Sequence, residues 1–451
     1  MDTLVKQSVS VLGAIALASV SFVFGKEKPA ADAVETLLHC RQTVDRPMIV
    51  KRGQSENVVI KIEIEGADIP SGDRMPLNLA VVLDRSGSMS GAKLEQAKQA
   101  AAMLVDQLDH NDVFSLVVYD TEVDVIFPAA LLGSRSNDIK RRIRQIETGG
   151  STALYGGVDC GGSQLEEFLS KNRINRVMLL SDGIANVGPS SNHEISGLGT
   201  RLARRGMSVT TIGLGNDYNE TLMTALAEAS DANYYYVADV EKLPEVFREE
   251  LGELKSIVAR DIEIRIRCPK GVRPIRFLGR PGELSGQEES LRFATVSSGQ
   301  TRELYLECEI TEDAIGDITE IAMVSVSTDE KKNQSTAPIV VGYTNDVKIA
   351  EKTLNREVQA EAAVWKNAVE TERSIALADQ GNIEAARGNF ASQKAALQSA
   401  WTAAPAAKKA EIADEIESIE EAEAGLSKTG LSKDQRKKLT SESFGIRNSK
   451  R

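Results

Sequence analysis

The sequence predicts a multidomain chain in which a doubly wound α/β domain is inserted in, or flanked by, a β-sandwich and is followed by an α-helical hairpin or bundle. Three observations carry this expectation. Short apolar runs alternate with helix-spaced segments through the middle of the chain, the pattern of a parallel sheet wrapped by helices. Clean two-residue alternation appears on both sides of that block. From residue 345 onward the chain is rich in Ala, Glu, Lys and Arg, all good helix formers.

The elements follow in order. Residues 7–25 contain no charged side chain and come after Lys6, the positive start and apolar middle of a secretory signal. The stretch also reaches the ~17–25 residues that span a bilayer. Residues 1–33 are therefore expected to be a cleaved signal peptide or a retained N-terminal membrane anchor, with the body exported to the periplasm or cell surface either way. In residues 41–75, Asn57-Val58-Val59-Ile60-Lys61-Ile62-Glu63-Ile64 alternates as a half-buried antiparallel strand does. It has no sheet of its own, so it is expected to pair into the sandwich predicted for residues 257–345. Six strands with interleaved helices place the α/β domain at residues 76–256. Residues 346–440 read as helical, with a single tetratricopeptide-like hairpin near residues 376–397 and no second copy at the expected period. Residues 441–451 are polar and basic and are expected to be a flexible tail.

The four cysteines fit export without requiring it. Cys268 and Cys308 both end or continue alternating apolar runs, so both sulfurs fall on buried strand faces. They are expected either to form a disulfide or to remain as two inert buried thiols. The net charge of -12 is the wrong sign for a nucleic-acid binder, whose affinity comes largely from Lys and Arg on phosphates.

The chemistry concentrates in three short stretches. Asp84-Arg85-Ser86-Gly87-Ser88 follows the first α/β strand directly. In open parallel sheets ligands bind at the carboxyl ends of strands, so this position is informative by itself. A carboxylate and two hydroxyls on alternate residues of a tight loop present hard oxygens, which suit Mg²⁺ or a similar cation. Thr152, in Gly149-Gly150-Ser151-Thr152, precedes a helix and can add another oxygen, and Asp182 ends a further strand. Each piece alone has an ordinary reading, as a helix cap or a glycine turn. All three in order, at strand ends of one α/β pattern, point to a shared site.

At these residues the chain resembles the von Willebrand factor type A (VWA) family, and the stretches look like its metal-ion-dependent adhesion site (MIDAS). The resemblance covers residues 76–256. It implies Asp84, Ser86, Ser88, Thr152 and Asp182 as ligands of one divalent cation, Mg²⁺ first, with Mn²⁺ and Ca²⁺ as alternatives. It also implies a partner protein that offers Asp or Glu to the metal, in an adhesion or protein-binding role at the cell envelope. Arg85 is either a solvated loop arginine or an outward charge that attracts such a ligand.

Two other classes compete. An envelope assembly protein would use the metal only to brace the fold, with an AAA+ ATPase or an envelope component as partner. A Mg²⁺-dependent hydrolase of dehalogenase type needs a second Asp two residues after the first, where this chain has Ser86. A Ser-His-Asp hydrolase needs a histidine base, and His39, His110 and His193 all lie outside the three stretches. No catalytic residue is assigned, and the chain is read as a non-enzyme.

Overall fold

The computed structural model describes residues 20–22, 37–68, 74–280, 282–316, 319–328 and 331–449. The export segment expected in residues 1–33 lies outside them, apart from the short strand β1 (Val20–Phe22). Among the described residues no helix is long and apolar enough to cross a membrane. The chain divides into two units. One combines Met1–Asp68 with Ala259–Ser432 and Gly445–Arg451, and the other combines Ile69–Val258 with Lys433–Phe444.

Three strands precede the α/β block: β2 (Leu38–Val44), β3 (Met48–Val50) and β4 (Glu56–Gly66). The block runs β5 (Leu77–Asp84), α1 (Ala92–Gln107), β6 (Val113–Tyr119), β7 (Val123–Leu131), α2 (Ser136–Arg144) and α3 (Leu154–Glu166). It continues through β8 (Ile174–Ser181), α4 (Asn192–Ala203), β9 (Ser208–Leu214), α5 (Glu220–Ala229), β10 (Tyr234–Val237) and α6 (Leu243–Lys255). The sheet order is β10-β9-β8-β5-β6-β7. β5 pairs in parallel with β6 on one side and β8 on the other. The strand order thus reverses at β5, which opens a crevice at its carboxyl end. Only the edge strand β7 runs antiparallel among the described strands of this sheet.

β5, β6 and β8 are buried along their whole length because helices cover both faces. On one face Leu79, Val81 and Leu83 pack with Leu104 of α1, Ile139 of α2 and Leu251 of α6. On the other, Val82 packs with Val158 of α3, Leu198 of α4 and Leu226 of α5. Helix α3 approaches the sheet closely because of its glycines. A Cβ at Gly161 would lie 2.5 Å from Val82 Cγ2, and one at Gly157 would lie 2.6 Å from Tyr119 Cδ1. Glycine inside a helix costs about 1 kcal/mol relative to alanine, and here it permits the contact that seats the start of α3 at the crevice. Gly161→Val is expected to destabilise the chain by about 1–3 kcal/mol through overpacking. An unchanged urea midpoint would show that the helix has room to retreat.

The second unit contains β11 (Ile257–Arg267), β12 (Val272–Phe277), β13 (Glu288–Ser297), β14 (Thr301–Ile310), β15 (Glu320–Thr328), β16 (Lys331–Val340) and β17 (Gly342–Thr344). The described strands form a sheet β1-β2-β4-β14-β12 and a sheet β13-β11-β15-β16. β4 pairs antiparallel with β14 from Thr301–Glu65 to Ile310–Glu56, so strands from before and after the α/β block share one sheet. Cys268 and Cys308 are free and buried.

The helices are α7 (Val347–Thr353), α8 (Arg356–Asp379), α9 (Ile383–Ala403), α10 (Ala406–Gly425) and α11 (Lys433–Arg447). Alternation places Lys61 on the polar face of β4, yet it is only 6% exposed. Its Nζ contacts Glu303 of β14 at 2.9 Å and Glu361 of α8 at 2.8 Å. Helix α8 covers the face that alternation assigns to solvent, and the Trp365 ring meets that of Tyr305 at a tilted 47°, with centroids 4.9 Å apart.

The flexible tail expected for residues 441–451 is corrected. The helix α11 runs through residue 447, and Phe444 is 2% exposed within the α/β core. Lys437 donates to Glu220 Oε2 at 2.6 Å and to the Tyr218 carbonyl at 2.7 Å, with its ammonium over the Tyr218 ring. Lys433 pairs with Asp217, and Arg436 pairs with Glu220. The helical region therefore does not end as a separate element at residue 440: Lys433–Phe444 belongs to the α/β unit, and Gly445–Arg451 to the other.

Candidate metal site

β5 ends at Asp84, whose buried carboxylate is held on both oxygens. Oδ1 accepts from the Ser86 N–H at 2.8 Å, and Oδ2 accepts from the Ser181 hydroxyl at 2.7 Å. The loop then makes a tight turn over Gly87–Met89, with the buried Met89 as its apolar plug. The Ser86 and Ser88 hydroxyls lie 3.1 Å apart. Ser88 in turn donates to Asp182 Oδ1 at 2.6 Å, which links the end of β5 to the residue following β8.

Backbone hydrogen bonds fasten the second stretch to the first. The Gly87 N–H donates to the Gly150 carbonyl at 2.9 Å, and the Gly149 N–H donates to the Arg85 carbonyl at 2.7 Å. Asn186 fastens the third stretch to the second. Its side-chain oxygen accepts from the Thr152 N–H at 2.8 Å, while its own N–H donates to the Thr152 carbonyl at 3.1 Å. Gly183 marks where the hydroxyls converge. A Cβ there would lie 3.1 Å from Thr152 Oγ1, 3.3 Å from Ser88 Oγ and 3.8 Å from Ser86 Oγ. Any larger residue at this position would enter the cradle.

The five predicted residues thus come together in one crevice. Asp84, Ser86, Thr152 and Asp182 are buried, and Ser88 is exposed at its mouth. Burial pushes the Asp84 carboxyl above the usual range; the neighbouring Asp182 charge adds to that, and hydrogen bonds from Ser86 and Ser181 oppose it. Two carboxylates with neutral hydroxyls form a donor set of hard oxygens that a divalent cation fits. Among the described residues no group of three or more His, Cys, Asp or Glu side chains is placed to hold a metal, so the candidate is a hydroxyl-rich site rather than a carboxylate cage.

Arg85 is half-buried and paired rather than free in solvent. Its Nε donates to Asp120 at 2.8 Å and its guanidinium reaches Asp124 at 2.6 Å, which ties the first loop to the turn between β6 and β7. Sequence reasoning did not single out Ser181, Gly183, Asn186 or Lys93. The Lys93 ammonium lies 2.5 Å from Asp182 Oδ2. Its sequence signal is a cation in the first turn of a helix, where the macrodipole disfavours it.

Residues 78–249 match the family model of the von Willebrand factor type A domain and form such a domain. The uncharacterised Escherichia coli protein YfbK is 28% identical over 227 residues, covering 50% of this chain and 39% of that protein. The chain therefore spans well under half of that relative's length. Among solved structures, a von Willebrand factor type A protein from Catenulispora acidiphila has a TM-score of 0.68 at 14% identity, covering 91% of this chain and 98% of that one. The ArnB paralog VWA2 from Sulfolobus acidocaldarius has a TM-score of 0.59 at 17% identity, covering 92% and 100%. At these identities the structural likeness establishes the fold alone.

Proposed function

We propose that this chain is an exported, envelope-facing protein-binding module. In this reading Asp84, Ser86, Ser88, Thr152 and Asp182 hold one divalent cation, Mg²⁺ first, for recognition of an Asp or Glu side chain on a partner protein. The observation that carries the reading is the convergence of three hydroxyls about Gly183, with Ser88 bonded to Asp182. VWA domains are in general metal-dependent protein-interaction modules, and this chain contains one at residues 78–249.

The chemistry follows from the donor count. When bound, the cation would supply an electrophilic centre for a carboxylate. Only two carboxylates face it and the other donors are neutral hydroxyls and water, so a coordination position stays open to an incoming carboxylate. Ser181 and the Ser86 N–H orient Asp84, Asn186 orients Thr152, and Met89 fixes the turn that presents Ser86 and Ser88. The uncharged stretch at residues 7–25 supports export. The buried apolar faces of β11 (Ile262, Ile264, Ile266) and β14 (Leu304, Leu306, Cys308) support reading the two β-sheets as a sandwich.

A peptide array probed with the full chain tests recognition. Peptides bearing Asp or Glu should retain the protein in Mg²⁺ and release it in EDTA, while their Asn and Gln counterparts should retain little. Retention that survives EDTA would overturn the metal-mediated reading.

A further inference from the structure

We propose that Lys93 is a resident monovalent charge of the site, sharing Asp182 with the divalent ion and lowering its affinity. The inference rests on the metal reading above and concerns how tightly the site holds its cation. Asp182 is fully buried, and both of its oxygens are engaged: Oδ1 by the Ser88 hydroxyl at 2.6 Å and Oδ2 by Lys93 Nζ at 2.5 Å.

Two features argue that Lys93 is more than a surface ion pair. It is the second residue of α1 (Ala92–Gln107), where the helix macrodipole disfavours a cation, so the position needs a compensating partner. Its side chain is also only 30% exposed and passes Gly215, where an added Cβ would lie 3.8 Å from both Cε and Nζ. Gly215 has φ +71°, a left-handed conformation that glycine adopts without strain.

Asp84, Asp182 and Lys93 together carry one negative charge, so a divalent ion brings the site to one positive charge. Without Lys93 the ion would meet both carboxylates unopposed and the loaded site would be neutral. Lys93 therefore trades retention of the ion for attraction of an acidic ligand.

Calorimetric titration of MgCl₂ into the full chain tests this, with Lys93→Met, Lys93→Gln and Lys93→Arg compared at constant ionic strength. Both neutral variants are expected to bind Mg²⁺ about tenfold more tightly than wild type, while Lys93→Arg stays within about threefold of it. Lys93→Gln keeps a donor for Asp182 without the charge, and it carries the test if Lys93→Met does not fold. Wild type and folded neutral variants binding with equal affinity, or the variants binding more weakly, would overturn the role of Lys93 and leave the metal reading intact. No binding by any of them would overturn the metal reading and this inference together. Binding gained only in the neutral variants would overturn the sharing of Asp182 by Lys93 and the ion, and would make Lys93 a competing occupant of the site.

Discussion

Titration of Mg²⁺ into the wild-type chain should give a single-site isotherm, and Asp84→Ala/Asp182→Ala should abolish it while the protein stays folded. The two carboxylates carry the negative charge of the site, and the remaining donors are neutral hydroxyls. Their removal leaves no electrostatic reason for a divalent ion to shed water. A cation at about 100 times its Kd adds roughly 2.7 kcal/mol to a folded state that alone binds it. Wild type should therefore melt higher in excess Mg²⁺ than in EDTA, and the double variant should melt at one temperature in both. Without metal, the substitutions act in opposite directions. They relieve repulsion between buried carboxylates, which helps hold the Asp84 carboxyl above its usual range. They also strand the Ser181 hydroxyl and the Lys93 ammonium, which bond these oxygens. A double variant that still shows wild-type Mg²⁺ heat would place the cation elsewhere in the chain.

Phe444→Ala should cost about 3–5 kcal/mol in chemical denaturation, the range for emptying a buried aromatic site. The ring is 2% exposed and meets Tyr234 edge-on at 5.6 Å between centroids. Phe444→Leu, which refills most of the volume, should cost no more than about 1.5 kcal/mol. The neighbouring polar contacts would persist in both variants, so the difference between them isolates packing. A Phe444→Ala variant with wild-type stability would mean that the last helix adds little to the α/β unit.

The candidate site was largely legible because its chemistry is local to each stretch. Asp84, Ser86 and Ser88 occupy alternate residues of one turn, Thr152 lies two residues after Gly149-Gly150, and Asp182 precedes Gly183, each at another element boundary. The strand-helix rhythm implied that such boundaries meet at one sheet edge, and the crevice at β5 brings them together. The supporting residues were less visible. Ser181 and Asn186 are ordinary polar residues whose role depends on a carboxylate or a threonine far away in sequence. Arg85 was expected outside because it sits in a polar loop, but Asp120 and Asp124 draw it in.

Alternation and spacing in the sequence were enough to determine the α/β block, its strand ends and the oxygen donors grouped there. Those features depend on neighbours within a few residues, where backbone geometry alone sets which way a side chain points. Tertiary structure decided what covers each face. Period two marks Lys61 as solvent-facing, and only the docking of α8 encloses it with Glu303 and Glu361. Residues 441–451 read as a loose polar tail, and only the α/β core gives Phe444 its partners. Whether a polar side chain is buried depends on charges and rings brought from distant segments, and local periodicity carries no record of them.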